Sequence, residues 1–231
     1  EAVGRKAAER AVARLGGRKV RTGDFPVLFE APLAASLLGS LVHAASGGAL
    51  YRKASMLLDH LGKQVMPDFV RIVERPHLRG GLGSASFDSD GVATRDSDVV
   101  CDGLLQRYFL STYTARKLGM QTTANAGGSH NLIIQPGDLD FAGLLAKMDR
   151  GLLLTEVLGH GVNYVTGDYS RGAAGYWVEN GKIAYPVEEI TIAGNLKDML
   201  MGIVAVGNDV LVRGSKQTGS ILIDRMTIAG E

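Results

Sequence analysis

Cysteine is nearly absent from this chain. Cys101 stands alone among 231 residues, so no disulfide can form within it. That fits a reducing, cytoplasmic setting, where thiols stay free. Charge of one sign is lacking as well. Lys+Arg 25 against Asp+Glu 24 leaves a formal net charge of +1. Such balance gives no basis for a direct nucleic-acid partner or a membrane surface. No apolar run approaches the roughly 18 residues of a membrane span, and the opening residues carry no pattern expected of a signal peptide.

Catalytic signatures are equally sparse. The histidines are His43, His60, His77, His130 and His160, and no two lie at i, i+4 as a zincin-type helix requires. There is no P-loop and no Gly-x-Ser-x-Gly elbow. Gly80-Gly81-Leu82-Gly83 lacks the strand–helix context of a dinucleotide loop. Asp88-Ser89-Asp90-Gly91 opens like a calcium loop but lacks the third ligand and the closing glutamate, so a plain turn is the better reading. Cys101, beside a turn, reads as a small half-buried residue rather than a nucleophile.

Glycine is what the chain has in excess. Its 31 glycines are about twice ordinary usage and announce many turns and short strands. The length suits one large domain or two small ones. The organising stretch is Phe25 to Gly48. It reads as a strand over 27–29 running into a helix from Pro32 to about Ser46, with Pro32 in the first turn. Leu33, Leu37, Leu41 and Ala45 recur every four residues beside Ala34, Leu38 and Val42, which predicts a mostly buried helix. Ser36, Ser40 and His43 form its one polar strip, read as facing inward.

The rest follows from local signals. Residues 1–15 are amphipathic and end at Gly16-Gly17. Residues 49–62 read as a second helix and 69–73 as a strand. Asp102-Gly103 and Asn180-Gly181 predict hairpins. A short helix over 114–118 closes at Gly119, and a glycine-rich loop over 122–131 carries His130. Asp138 is the expected N-cap of a helix over 139–148. Beyond Gly151 the chain reads as almost all strand: 152–157, 162–166, 182–185, 190–192, 203–206, 210–212, 221–223 and 226–228, with a short helix capped by Asn195. A loop is expected over 166–175, carrying Tyr169 and Arg171, where a Gly/Ser-rich turn with an arginine could hold a carboxylate or pin two strand ends. The fold class is α+β: strand-rich mixed or antiparallel sheets with a few helices, most of them in the N-terminal part. From spacing alone no enzyme signature emerges.

The run VTGDYSRGAAGYWVENGKIAYPVEEITIAGNLKDML, Val165 to Leu200, resembles the TldD/PmbA family, and within it the PmbA (TldE) branch. LLGSLVHAASGGALYRKASMLLDHLGKQ, YTARKLGM, AGGSHN and LIDRMTIAG extend the resemblance over nearly all of 20–231. It implies a C-terminal domain over 19–231, with residues 1–18 as a helix leading to an N-terminal domain outside this sequence. TldD-type chains carry a His-Glu-x-x-x-His zinc motif and a cysteine ligand. PmbA-type chains are implied to pair with them as a heterodimer that trims extended peptides, such as peptide-antibiotic precursors and labile antitoxins. Carried over by position, the first metal histidine falls on Gly39, the base glutamate on Ser40, the second histidine on Ala44 and the cysteine on Arg213. His43 stands one place early. The expectation is therefore a non-catalytic subunit holding no zinc, with zinc in a TldD-like partner. Its peptide path would pass His130, Tyr169 and Arg171. The alternatives are a peptide-binding regulator, in keeping with a modulator of DNA gyrase label in this branch, and an independent hydrolase using His130 or His160.

Overall fold

Asp102 and Gly103 sit at φ 50° and 71°, and Asn180 and Gly181 at 51° and 67°. Both pairs make the two-residue turn that matches the twist of antiparallel strands. The computed structural model describes residues 1–231 as an α+β fold of six helices and eleven strands. In chain order these are α1 (Ala2–Val12), β1 (Gly23–Phe29), α2 (Ala31–Ala44), α3 (Gly47–Tyr51), β2 (Ile72–Glu74), β3 (Ser97–Cys101) and β4 (Leu104–Leu105). They continue as α4 (Thr112–Leu118), β5 (Leu132–Ile134), α5 (Phe141–Met148), β6 (Gly151–Leu158), β7 (Asp168–Glu179) and β8 (Lys182–Asn195). The last are α6 (Leu196–Met201), β9 (Ile203–Val206), β10 (Lys216–Gln217) and β11 (Ile221–Ala229).

One sheet closes on itself. Its order is β1-β6-β7-β8-β11, and β11 returns to pair with β1, so five strands form a small barrel. β9 adds to the first half of β11, while the second half pairs with β8. Closure removes the exposed edges that invite aggregation. The second sheet runs β10-β5-β2-β3-β4 and does not close; residues 62–64 bond the outer side of β4. Helix α2 touches β6 of the barrel and β10 of the second sheet. A core of 42 buried residues continues through both sheets. No helix is long and apolar enough to cross a membrane.

Several elements depart from the sequence reading, each for a physical reason. The helix expected over 49–62 ends at Tyr51. Lys53 and Asp59 adopt positive φ, Ser55 Oγ donates to the Ala44 carbonyl, and Met56 N–H donates to the Tyr164 carbonyl at 2.8 Å. Remote partners thus satisfy this backbone in place of helical ones. The N-cap of α5 is Asp140, not Asp138, because Asp140 reaches the Gly143 amide at 2.7 Å. Residues 162–166 are a turn organised by Asn163, whose Oδ1 accepts the Val165 amide at 2.9 Å. Residues 210–212 are not a strand. Conversely, 166–175 is largely strand β7, and the two strands expected over 182–192 are one strand, β8, with Glu189 at φ 53°. Asp88 makes the plain turn expected: its carboxylate accepts the amides of Asp90, Val92 and Ala126.

Candidate functional site

Helix α2 is aimed by its N-terminus. Glu30 makes no side-chain cap. Instead Ser220 Oγ accepts the Ala31 amide at 3.0 Å, and Asp209 accepts from both the Ser220 hydroxyl and the Ser220 amide. Ala34, Leu37, Leu38, Leu41 and Ala44 are buried. The opposite face is open. Pro32, Ser36 and His43 are exposed and Gly39 is half-buried. The polar strip is therefore divided: Ser40 turns inward and donates to the Ser36 carbonyl at 3.2 Å, while Ser36 and His43 face out. His43 stacks on Tyr164 with ring centroids 4.0 Å apart.

The resemblance put the metal and base positions at Gly39, Ser40, Ala44 and Arg213, and each has a defined surrounding here. Gly39 offers no side chain, and a Cβ there would meet open space. Ser40 is 7% exposed and already bonded within its own helix. Ala44 is fully buried. Arg213 brings a fixed positive charge. No three His, Cys, Asp or Glu side chains gather anywhere closely enough to hold a metal ion. This donor set does not fit zinc, which takes imidazole, thiolate or carboxylate ligands.

Between α2 and the segment before β10 lies a cleft of about 450 Å³. Ala31, Pro32 and Ala35 form one wall, and Leu211 with residues 213–216 the other. Gly83 packs between Ser215 and the His130 backbone, so the His130 loop flanks this segment. His130 itself is half-buried. Its ring lies 3.1 Å from the Ala124 carbonyl and its amide donates to Glu74 Oε1 at 2.7 Å. His160 is exposed. All six ion pairs use arginine or lysine, so neither histidine is paired with a carboxylate as a hydrolytic dyad would need.

Tyr169 and Arg171 lie on β7 rather than in a loop. The Tyr169 ring is buried and its hydroxyl has no hydrogen-bond partner. Burial pushes its pKa up, and Arg171 beside it works in the opposite direction. Arg171 donates to the Gly159 carbonyl at 2.8 Å, tying β7 to the loop that also holds Tyr164. Burial is likewise the first cause that raises the Cys101 thiol, with Asp102 next, which makes it a poor nucleophile.

Two features had no local signal in the sequence. One is the Asp209–Ser220–Ala31 relay. The other is a buried network in which Arg107 pairs with Glu74 at 3.3 Å and also bonds Ser97, Asn125 and the Thr123 carbonyl. Asn125 in turn donates to Glu74 at 3.0 Å. The network anchors the loop bearing His130.

A family model described as PmbA/TldA metallopeptidase C-terminal domain matches residues 22–230. The chain is 52% identical over 231 residues to a protein named Metalloprotease PmbA from Escherichia coli O157:H7, matching 100% of this chain and 51% of that one. A crystal structure from Bacteroides thetaiotaomicron, labelled a modulator of DNA gyrase, superposes with a TM-score of 0.94 at 34% identity, over 99% of this chain and 52% of that chain. TldE from Thermococcus kodakarensis shares the fold, with a TM-score of 0.82 at 23% identity over 96% of this chain and 55% of that chain. The chain spans about half the length of the curated relatives it matches.

Proposed function

This chain belongs to the PmbA/TldD metallopeptidase family, and on that premise we propose that it acts as the non-catalytic member of a heterodimer whose zinc-bearing chain is TldD-like. The observation that carries the reading is the donor set on and beside α2: Gly39, Ser40, Ala44 and Arg213 supply neither zinc ligands nor a base. Hydrolysis at a metal needs ligands for the ion and a group to activate its water. In this reading both come from the partner, and the chain contributes walls that guide an extended peptide. Strand-rich surfaces suit that task, because an extended chain can pair with an open sheet edge. The His130 loop and the Tyr169–Arg171 segment of β7 border the path, with Arg171 holding the loop that carries Tyr164.

The test compares peptide cleavage by each full-length chain alone, by the pair, and by the pair with the partner's motif glutamate replaced. Strong cleavage is expected from the intact pair only. Zinc-dependent cleavage by this chain after careful removal of any partner overturns the reading.

A further inference from the structure

The segment opposite α2 is unusual in what it leaves unpaired. Residues 210–214 lie outside every helix and strand and make no backbone hydrogen bond. The next residues form β10, the end strand of the second sheet. β10 runs parallel to β5 with Lys216 opposite Leu132, and the Leu132 amide bonds the Ser215 carbonyl at 2.7 Å. In that register Lys216 turns its own N–H and C=O away from β5, toward the open edge. Backbone groups left this way form a template for one more strand.

The side chains add a sign. Arg213 and Lys216 line the cleft, and neither takes part in any of the six ion pairs. No aspartate or glutamate lines it. Two cations without a counter-charge therefore share one concave surface with an unpaired strand edge. Its volume of about 450 Å³ falls in the range of ligand-binding clefts. The α2 wall is small and apolar at Ala31, Pro32 and Ala35, which leaves room for alternate side chains of a strand.

We propose that this cleft binds an extended peptide segment rich in aspartate or glutamate, paired along its backbone with Lys216 and held by its side-chain carboxylates to Arg213 and Lys216. The inference rests on the peptide-handling role proposed above and adds the chemical class of the peptide. A guanidinium can meet a carboxylate with two parallel N–H donors, and the ammonium adds a second charge.

The experiment titrates the full-length protein, without any partner, into fluorescein-labelled octapeptides blocked at both ends. One alternates glutamate with threonine, a second carries glutamine in place of glutamate, and a third is the glutamate peptide methylated on alternate backbone nitrogens. Fluorescence anisotropy should show the glutamate peptide binding at least tenfold more tightly than the glutamine peptide, with affinity falling as salt rises. Arg213→Gln and Lys216→Gln should each weaken binding severalfold, while Lys182→Gln, on the β7–β8 hairpin and outside the cleft lining, should change nothing. Backbone methylation should cost a further tenfold. Equal affinity for the two unmethylated peptides, an equal loss from Lys182→Gln, or full binding by the methylated peptide overturns the proposal. Because no partner is present, any of these results leaves the heterodimer reading to its own cleavage test.

Discussion

The Ser220 hydroxyl links Asp209 to the first amide of α2, donating to the carboxylate at 2.6 Å while accepting from Ala31 at 3.0 Å. The helix that lines the cleft thus owes its N-terminal anchor to residues far along the chain. Ser220 is fully buried, so loss of its hydroxyl leaves the buried Ala31 amide without a partner. Ser220→Ala should therefore cost about 1–3 kcal/mol, read as a lower denaturant midpoint with an unchanged slope. A midpoint equal to the parent's would show that the relay contributes nothing.

The Glu74–Arg107 pair sets a second expectation. Glu74 is 1% exposed, and the Arg107 pKa is pushed down by burial first, with the Glu74 charge resisting that shift. Taking away one partner strands the other charge in the core, at a cost of about 3–5 kcal/mol. Glu74→Ala and Arg107→Ala should each be strongly destabilising, and the double variant less so than their sum. Limited proteolysis should also cut the loop at 126–129 sooner in both. Additive losses from the two substitutions would contradict a coupled network.

Stability should depend on Asp90 in a pH-dependent way. Its carboxylate accepts from the Thr112 side chain at 2.5 Å and the Thr112 amide at 2.9 Å, and these two bonds, in that order, lower its pKa. A depressed folded pKa gives stability that is present above the unfolded carboxylate value and fades as pH falls through the folded one. Asp90→Asn should lower Tm at pH 7, with the gap to the parent closing in acid. A gap that persists unchanged to pH 2 would mean the ionised carboxylate is not the source.

Tyr169 separates packing from contact with peptide. The ring is buried but the hydroxyl is unpartnered, so Tyr169→Phe should leave stability unchanged or improve it by about 1 kcal/mol, since an unsatisfied buried polar group is removed. Tyr169→Ala should cost about 3–5 kcal/mol through the cavity it leaves. Arg171→Ala should reduce peptide turnover by the assembled pair with a smaller effect on melting than Tyr169→Ala. If turnover tracks melting across all three variants, this part of β7 is scaffold only.

Much of the fold could be read from residues whose demands are local. Asp-Gly and Asn-Gly at 102–103 and 180–181 specified positive φ twice over, and both hairpins formed. Leu, Ala and Val at helical spacing placed α2 and its buried face. Errors arose where distant partners decide. The 166–175 stretch looked like a loop because of its glycines, yet Gly175 lets β7 lie close against the Leu153 carbonyl of β6. Residues 54–60 had helical periodicity but took bonds from Ala44, Tyr164 and Tyr108 instead. At the candidate site, it was family resemblance and not local pattern that singled out Gly39, Ser40, Ala44 and Arg213. The unpaired edge at Lys216 was not legible, since it depends on which residue of β5 lies opposite.

The barrel's closure has a consequence for how the protein is made. β1 lies near the start of the chain and pairs with β11, the last strand. During synthesis β1 and α2 therefore wait without this seam until every strand from β2 to β11 has been made. Loop closure over such a span is slow, and strands left waiting are exposed to wrong partners. The side of β1 that awaits β11 is thus a surface open to mispairing until the barrel closes.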